Sequence, residues 1–405
     1  MGPVSSASVK SGREVRHARI AVAALFLING ATFANLLPRF PEIKADLGLS
    51  NAAYGVMVAA FPGGALVAGL AAGVVIRRFG SARVAVLASA ALAALVGLVG
   101  WAPSPVLVSV VLFSGGCCDA LADVGQNSHG LWVQRRYGRS IINSLHAVWA
   151  AGAVLGGLLG AGSLVLGMSR AAHLGLSAVL FAAVALLVWP YLLKGAEHDE
   201  HARARQGSGA RAGPVVYVVL AALVALAIAG AIVEDAGSSW ATLYLRSLGA
   251  SDAVAVSGYI ALAGAMFVGR LLGDRLVDRF GERAVVRGGG VIVAVGMGAA
   301  LAYPSVVSSV AGFAAAGLGM ATAVPAAMHA ADRLPGLRPG SGLTIVAWLM
   351  RVGFVAAPPV VGLIADAAGL RAGLALVPVA GVVALLMAGA LSGRQLPARS
   401  SAPPP

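Results

Sequence analysis

Charge is scarce in this chain. Lys, Arg, Asp and Glu make up 11% of the 405 residues, apolar residues make up 59%, and mean hydropathy is +0.87. A soluble protein of this length could not cover its surface with so few charges. A disordered chain could not be so apolar. Cysteine is nearly absent: Cys117 and Cys118 are adjacent, too few for a disulfide framework and without metal-ligand spacing. They read as small packing residues. Acidic residues are outnumbered by basic ones, 16 to 29, for a net charge of +13. In a soluble protein that surplus would suggest nucleic acid, but here the cations sit in short clusters between apolar runs, where membrane topology explains them. No nucleic-acid partner is expected. Glycine reaches 54 residues without the three-residue period of collagen. P-loop, His-rich metal and hydrolase-elbow motifs are missing, so neither a cofactor nor a metal is expected. What remains is a polytopic helical membrane protein in contact with the lipid bilayer.

A spanning helix needs about 20 apolar residues. Twelve runs qualify: 18–37, 52–76, 84–101, 104–131, 141–166, 172–193, 214–244, 252–273, 284–302, 305–330, 341–365 and 371–391. They do not alternate with period two, which argues against a β-barrel. The basic start of the chain could mimic a signal peptide, but the run after it is too long and no clear cleavage site follows, so a retained first span is expected. With the N-terminus inside, about 21 Lys and Arg residues fall on inner segments and about five on outer loops, the latter including Arg39, Lys44 and Arg170. The positive-inside rule therefore places both termini in the cytoplasm and requires an even helix count. The expected organisation is a cytoplasmic tail (1–17), a six-helix bundle (18–194), a polar linker (195–213), a second six-helix bundle (214–391) and a second tail (392–405).

The halves share a signal. RRFGSAR follows the second run and DRFGER the eighth, with Arg-Phe-Gly at 78–80 and again at 279–281. Such an internal repeat marks transporters, with a site expected at midplane between the halves. These residues resemble the major facilitator superfamily, whose loop motif Gly-x-x-x-Asp-Arg-x-Gly-x-Arg/Lys follows the second and eighth helices. The second copy carries Asp274, Asp278, Arg279, Gly281 and Arg283, with Asp274 where the leading Gly is expected. The first keeps Gly73, Arg78, Gly80 and Arg83 but has Arg77 in place of the acid. The resemblance covers roughly residues 18–391, and DVGQN, SLHA, EDAGSSW and APPVVGLIADAAGLR look like a bacterial branch that includes a rhizopine carrier. It implies an all-α membrane fold of twelve transmembrane helices in two pseudo-symmetric bundles, with a small-molecule substrate. Its loop clusters imply a gate at Arg78, Arg83, Asp274, Asp278, Arg279 and Arg283. There Asp278 would face a neighbouring helix N-terminus and pair with Arg279 and Arg283. Arg77 cannot do this in the first half, so that latch is weakened or rebuilt, with Asp332 as a substitute partner.

Ionisable groups inside spans are costly, and each is a functional candidate. Asp119, Asp123 and Asn127 lie four apart on one helical face of the fourth run. Two nearby carboxylates suit binding and release of a proton. Glu234 and Asp235 precede GSSW, whose Gly and Ser suggest a kinked or broken outer half of the seventh span. Adjacent residues point about 100° apart, so one of the two acids faces a cavity; the branch resemblance favours Glu234. Arg351 lies deep in the eleventh run and needs a carboxylate or an anionic ligand, with Glu234, Asp235 and Asp119 as candidates. His146 could relay protons. Asn29, Asn35 and Asn127 would line a polar cavity, and Trp149, Trp240 and Trp348 either stack on a ligand or pack. Arg270 and Arg287 would snorkel. Gly152, Gly156 and Gly160 should form a close-contact stripe.

GGCCDALAD matches half of a CDP-alcohol phosphotransferase pattern, but PSPVLVSVVLFS before it holds no acid for metal, which disfavours an intramembrane enzyme. A secondary active transporter is expected, monomeric, in the cytoplasmic membrane and driven by protons. A sugar-like or other small polar solute is the first expectation. Drug efflux is the alternative, lowered by the missing Pro beside Gly156–Gly157 in the fifth run.

Overall fold

The computed structural model describes residues 6–139, 141–193, 213–337 and 341–391. The expected linker, 195–213, lies outside the described residues except for Gly213, as does the second tail. Among the described residues, twelve helices are long and apolar enough to cross a membrane. We number them α1 (Arg13–Asp46), α2 (Asn51–Phe79), α3 (Ser81–Trp101), α4 (Pro105–Tyr137), α5 (Ser144–Val165) and α6 (Arg170–Tyr191). The second set is α7 (Pro214–Ser247), α8 (Asp252–Phe280), α9 (Glu282–Ala302), α10 (Val306–Asp332), α11 (Ser341–Ala368) and α12 (Leu370–Ala390). Successive helices alternate direction. The end at which α1 begins and α12 finishes is called the terminal end here, and the other the distal end.

Helix pairing reproduces the repeat. In the N-lobe, α1 packs on α5, α2 on α4, and α3 on α4 and α6; in the C-lobe, α7 packs on α11, α8 on α10, and α9 on α10 and α12. Each pair maps onto the other with a shift of six helices. Between the lobes, α2 packs on α11 and α5 on α8, and these two seams are related by the same shift.

Local sequence explains the ends. Serines at 50, 104, 169 and 305 cap α2, α4, α6 and α10 at the distal end, each side chain accepting from a first-turn backbone N–H. The repeated Arg-Phe-Gly marks the opposite turns. Gly80 and Gly281 take nearly the same conformation, φ 85° and 84°, each ending one helix and starting the next. Small residues set the packing distance: a Cβ on Gly152 or Gly156 would fall 2.0 or 2.3 Å from the carbonyl oxygens of Leu27 and Ala31 on α1. The expected glycine stripe therefore carries the α1–α5 contact. Large apolar side chains such as Val106, Val179, Leu187, Val218 and Leu386 point outward and are exposed, as lipid contact demands.

One feature differs from the sequence reading and a second gives it a definite form. Arg39 was expected on an outer loop. Instead α1 continues through a 3₁₀ turn (Leu37–Arg39) and a further helical stretch (Phe40–Asp46), and Arg39 is 3% exposed. Each of its three guanidinium nitrogens donates a hydrogen bond. Nη1 donates to Glu42 Oε2 at 2.8 Å, Nη2 to the Met168 carbonyl at 2.7 Å and Ser163 Oγ at 3.1 Å, and Nε to His173 Nδ1 at 3.3 Å. The second feature is at α7. The expected break is a π turn at Ala236–Trp240, after which the helix resumes (Ala241–Ser247).

Candidate functional site

The polar side chains of the N-lobe converge on α4. Asn29 on α1 donates through Nδ2 to Asp119 Oδ1 at 3.0 Å. Its own Oδ1 accepts from Trp149 Nε1 on α5 at 2.9 Å and from Gln126 Nε2 at 3.4 Å. Asn29 is thus held in one amide orientation by donors on both sides, and it presents a fixed N–H to the carboxylate. One turn further along α4, Asn127 Nδ2 donates to both the carbonyl and Oδ1 of Asp123, each at 2.9 Å. Asp119, Asp123 and Asn127 share the helical face predicted for them and are half-buried.

The C-lobe answers with cations. Arg351 lies within electrostatic range of both Asp119 and Asp123. Among the described residues no ion pair within 4.0 Å joins it to either. Trp348, three residues earlier on α11, is exposed on the adjoining surface. Glu234 on α7 approaches Arg270 of α8, Oε2 to Nη2 4.0 Å. Arg270 was expected to snorkel; it lies instead in the charge cluster, near both Glu234 and His146. His146 stacks edge-on against Phe26, with ring centroids 5.3 Å apart, and is exposed within range of Asp123. These part-exposed groups lie within electrostatic range of one another from opposite lobes, which makes the space between the lobes a candidate crevice. Carboxylates dominate its N-lobe wall and guanidinium groups its C-lobe wall.

Three expected cavity residues lie elsewhere. Asn35 is buried beneath the distal end of the N-lobe, where its Oδ1 accepts from His173 Nε2 at 2.8 Å. The tautomer follows from Arg39, which can only donate and therefore needs His173 Nδ1 as acceptor. Asp235 points away from Glu234, is 5% exposed, and accepts from Ser239 Oγ at 2.8 Å across the π turn. Of the two adjacent acids, Glu234 is therefore the part-exposed one, on the side of Arg270, and Asp235 the buried one. Trp240 is fully buried, its ring edge-on to Tyr54 at 5.0 Å. It belongs to the seam between lobes, where Tyr54 Oη donates to the Ser239 carbonyl at 2.6 Å.

The terminal-end cluster is spread out. Arg78 lies over Phe79 at 5.6 Å and Arg279 over Phe280 at 5.3 Å, matching contacts in the two repeats. Arg83, Asp274 and Asp278 are exposed. Arg283 closes the end of α12, donating to the carbonyls of Leu391 at 3.0 Å and Gly389 at 2.8 Å.

Gln126 and Tyr54 were not singled out from the sequence. Gln126 sits seven residues after Asp119 on α4, so the helical period could have found it. Tyr54 carries no such signal, because its partner is on α7 of the other lobe.

The Major Facilitator Superfamily sequence model matches residues 22–336 and 263–404. The membrane protein MosC of Rhizobium meliloti is 32% identical over 370 residues, covering 90% of this chain and 87% of MosC. Two solved structures share the fold. A mutant form of the nucleoside transporter NupG superposes with a TM-score of 0.75 at 13% identity, covering 92% of this chain and 98% of that one. A D-xylose–proton symporter superposes with a TM-score of 0.72 at 17% identity, covering 92% and 96%.

Proposed function

This chain belongs to the major facilitator superfamily and is a multi-pass membrane transporter, not an enzyme; from that premise we propose that it carries a small polar solute by proton-coupled alternating access. The observation that carries this reading is the crevice itself. Asp119 and Asp123 stand on one lobe, each hydrogen-bonded to an asparagine but, among the described residues, with no ion pair within 4.0 Å, opposite Arg351 on the other. Unmatched ionic groups this deep in a membrane protein are expensive unless a ligand, a proton or water satisfies them.

Each group has a role in this reading. Asp119 takes and releases the proton, with Asn29 holding the carboxylate toward the crevice. Asp123 and His146 extend the proton path along the same wall. Glu234 balances Arg270 in the open crevice and exchanges partners when the lobes rock. Arg351 neutralises Asp119 and Asp123 when they are ionised and a solute is absent. Asn127, Trp149 and Trp348 offer hydrogen bonds and aromatic surface to a polar solute. Both termini lie in the cytoplasm, as the Arg clusters at the terminal end require. The crevice then opens inward, because the interlobe contacts described above gather in the distal half.

Two of the similar structures are a nucleoside transporter and a D-xylose–proton symporter, which makes sugars and nucleosides the first solutes to test. The experiment is flux in proteoliposomes across such a panel, with and without a pH gradient, for the wild type and Asp119→Asn. Asparagine keeps an acceptor for Asn29 but cannot carry a proton. Gradient-driven uptake should vanish in that variant while solute exchange at equal pH persists. Flux indifferent to the gradient would falsify proton coupling. Transport of amphipathic cations alone would replace the polar-solute reading with drug efflux.

A further inference from the structure

We infer that Asp366 is the distal-gate residue of this carrier. Its carboxylate, on α11 of the C-lobe, caps the first turn of α2 in the N-lobe and so favours the conformation closed at the distal end. The inference rests on the alternating-access reading above.

A helix N-terminus leaves its first N–H groups without intrahelical partners. In α2 these donors are shared between two lobes. Ser50 Oγ accepts from Ala53 N at 3.1 Å, within the N-lobe. Asn51 N donates to Asp366 Oδ1 at 2.9 Å and Ala52 N to Oδ2 at 2.8 Å, across the seam. Each carboxylate oxygen thus takes one backbone donor, and the negative charge sits on the positive end of the α2 dipole. Close approach makes this possible. Gly362 lies one turn before Asp366 on the same face of α11, and a Cβ there would fall 2.3 Å from the Asn51 carbonyl oxygen.

This cap exists only while the distal ends touch. Once the lobes part, Asn51 and Ala52 must turn to water and Asp366 loses both donors. A contact present in one state and absent in the other shifts the equilibrium by its own free energy. At the opposite end of α2 the balance is reversed. There the loop holds Arg77 where the resembled motif has an acid, and a cation cannot close on a helix N-terminus. The α2–α11 pair is therefore latched at its distal end, while the sequence supplies no acid at Arg77 for a matching latch at its terminal end, and the resting population is biased toward the distal-closed state.

The test reads distances between spin labels in the full-length protein, in liposomes and without solute, with Cys117 and Cys118 replaced by Ser. One label pair reports the distal end, at Leu166 and Tyr303, which are 77% and 80% exposed. The other reports the terminal end, at Phe79 and Phe280, 52% and 53% exposed. Asp366→Asn should raise the distal-open fraction about two- to fivefold, the range of a surface charge at a helix end. Asp366→Glu should recover part of the wild-type ratio. Asn51→Pro removes one of the two donors from the α2 side at a position where proline is welcome, and it should shift the ratio in the same direction by less. Arg77→Asp should add to the shift by supplying the missing acid at the terminal end. Unchanged distance distributions in both Asp366→Asn and Asn51→Pro would overturn the proposal. These distances do not depend on flux: a protein that switches as described yet moves no solute refutes the transport reading and leaves the gate intact.

Discussion

Gly55→Ala tests the geometry of the seam most directly. Gly55 on α2 faces the backbone of α11, where a Cβ would lie 2.3 Å from the Pro358 carbonyl oxygen and 3.0 Å from Pro359 Cα. Ordinary contact begins near 3.4 Å, so the two helices must separate by about 1 Å. No rotamer change relieves the clash, because both partners are backbone. A separation of about 1 Å also stretches the hydrogen bond from Tyr54 to Ser239, now 2.6 Å, beyond useful length. Overpacking of this kind costs about 1–3 kcal/mol. With the distal ends apart the clash does not exist, so the whole cost appears as a difference between states. It corresponds to about a 5- to 150-fold rise in the ratio of distal-open to distal-closed molecules. Alanine's better helix propensity is common to both states and cancels. Single-molecule energy transfer between dyes at positions 166 and 303 measures the ratio. Gly264→Ala is the control, because nothing lies within 4 Å of a Cβ there. If Gly55→Ala leaves the ratio within twofold of the control, the seam is not the closed gate and the argument fails.

Arg39→Met should destabilise the N-lobe by about 3 kcal/mol, since it strands the Met168 carbonyl, Ser163 and His173 in a buried site. Scanning fluorimetry of the purified protein should show a fall of roughly 6–12 °C; a fall under about 2 °C would mean the network is dispensable. Tyr54→Phe removes one buried hydrogen bond between lobes, worth about 1 kcal/mol, and should raise the distal-open fraction about fivefold in the same dye assay. Arg351→Gln leaves Asp119 and Asp123 facing an uncharged side chain, and flux should fall at least about tenfold; retained flux would remove Arg351 from the solute path. Asn29→Leu takes away the donor to Asp119 and the acceptor of Trp149, so it should lower flux while Asn35→Leu, remote from the crevice, should act on thermal stability alone.

Much of the site was visible in the order of residues because helical periodicity is local. Asp119, Asp123 and Asn127 are four apart, so one face of α4 had to be polar wherever the helix went. Glu234 and Asp235 were identified as a pair. Helical geometry alone could not choose between them, and only the branch resemblance favoured Glu234, because each 100° step matters only relative to a neighbour that comes from elsewhere. The same limit applies to Asn35. As an isolated polar residue in an apolar run it resembled Asn29, and only the packing of α6 against α1 supplied His173 as its partner. Arg39 looked like a loop cation for a similar reason: a charge at the edge of an apolar run is cheap in water, and the sequence held no sign that Glu42, Ser163, Met168 and His173 would enclose it.

Composition alone required a membrane protein, since so few charges cannot coat a water-soluble surface of this size. Run length and the Arg-Phe-Gly repeat set twelve helices in two matched halves. These properties are sums over short stretches, and burial elsewhere does not alter them. Pairing across the lobes is of a different kind. Asp366 with the start of α2 and Tyr54 with Ser239 bring together groups far apart in the chain. Which donor meets which carboxylate depends on how two rigid bundles lean on each other through glycine contacts of a few ångströms, and that was decided only when the tertiary structure closed.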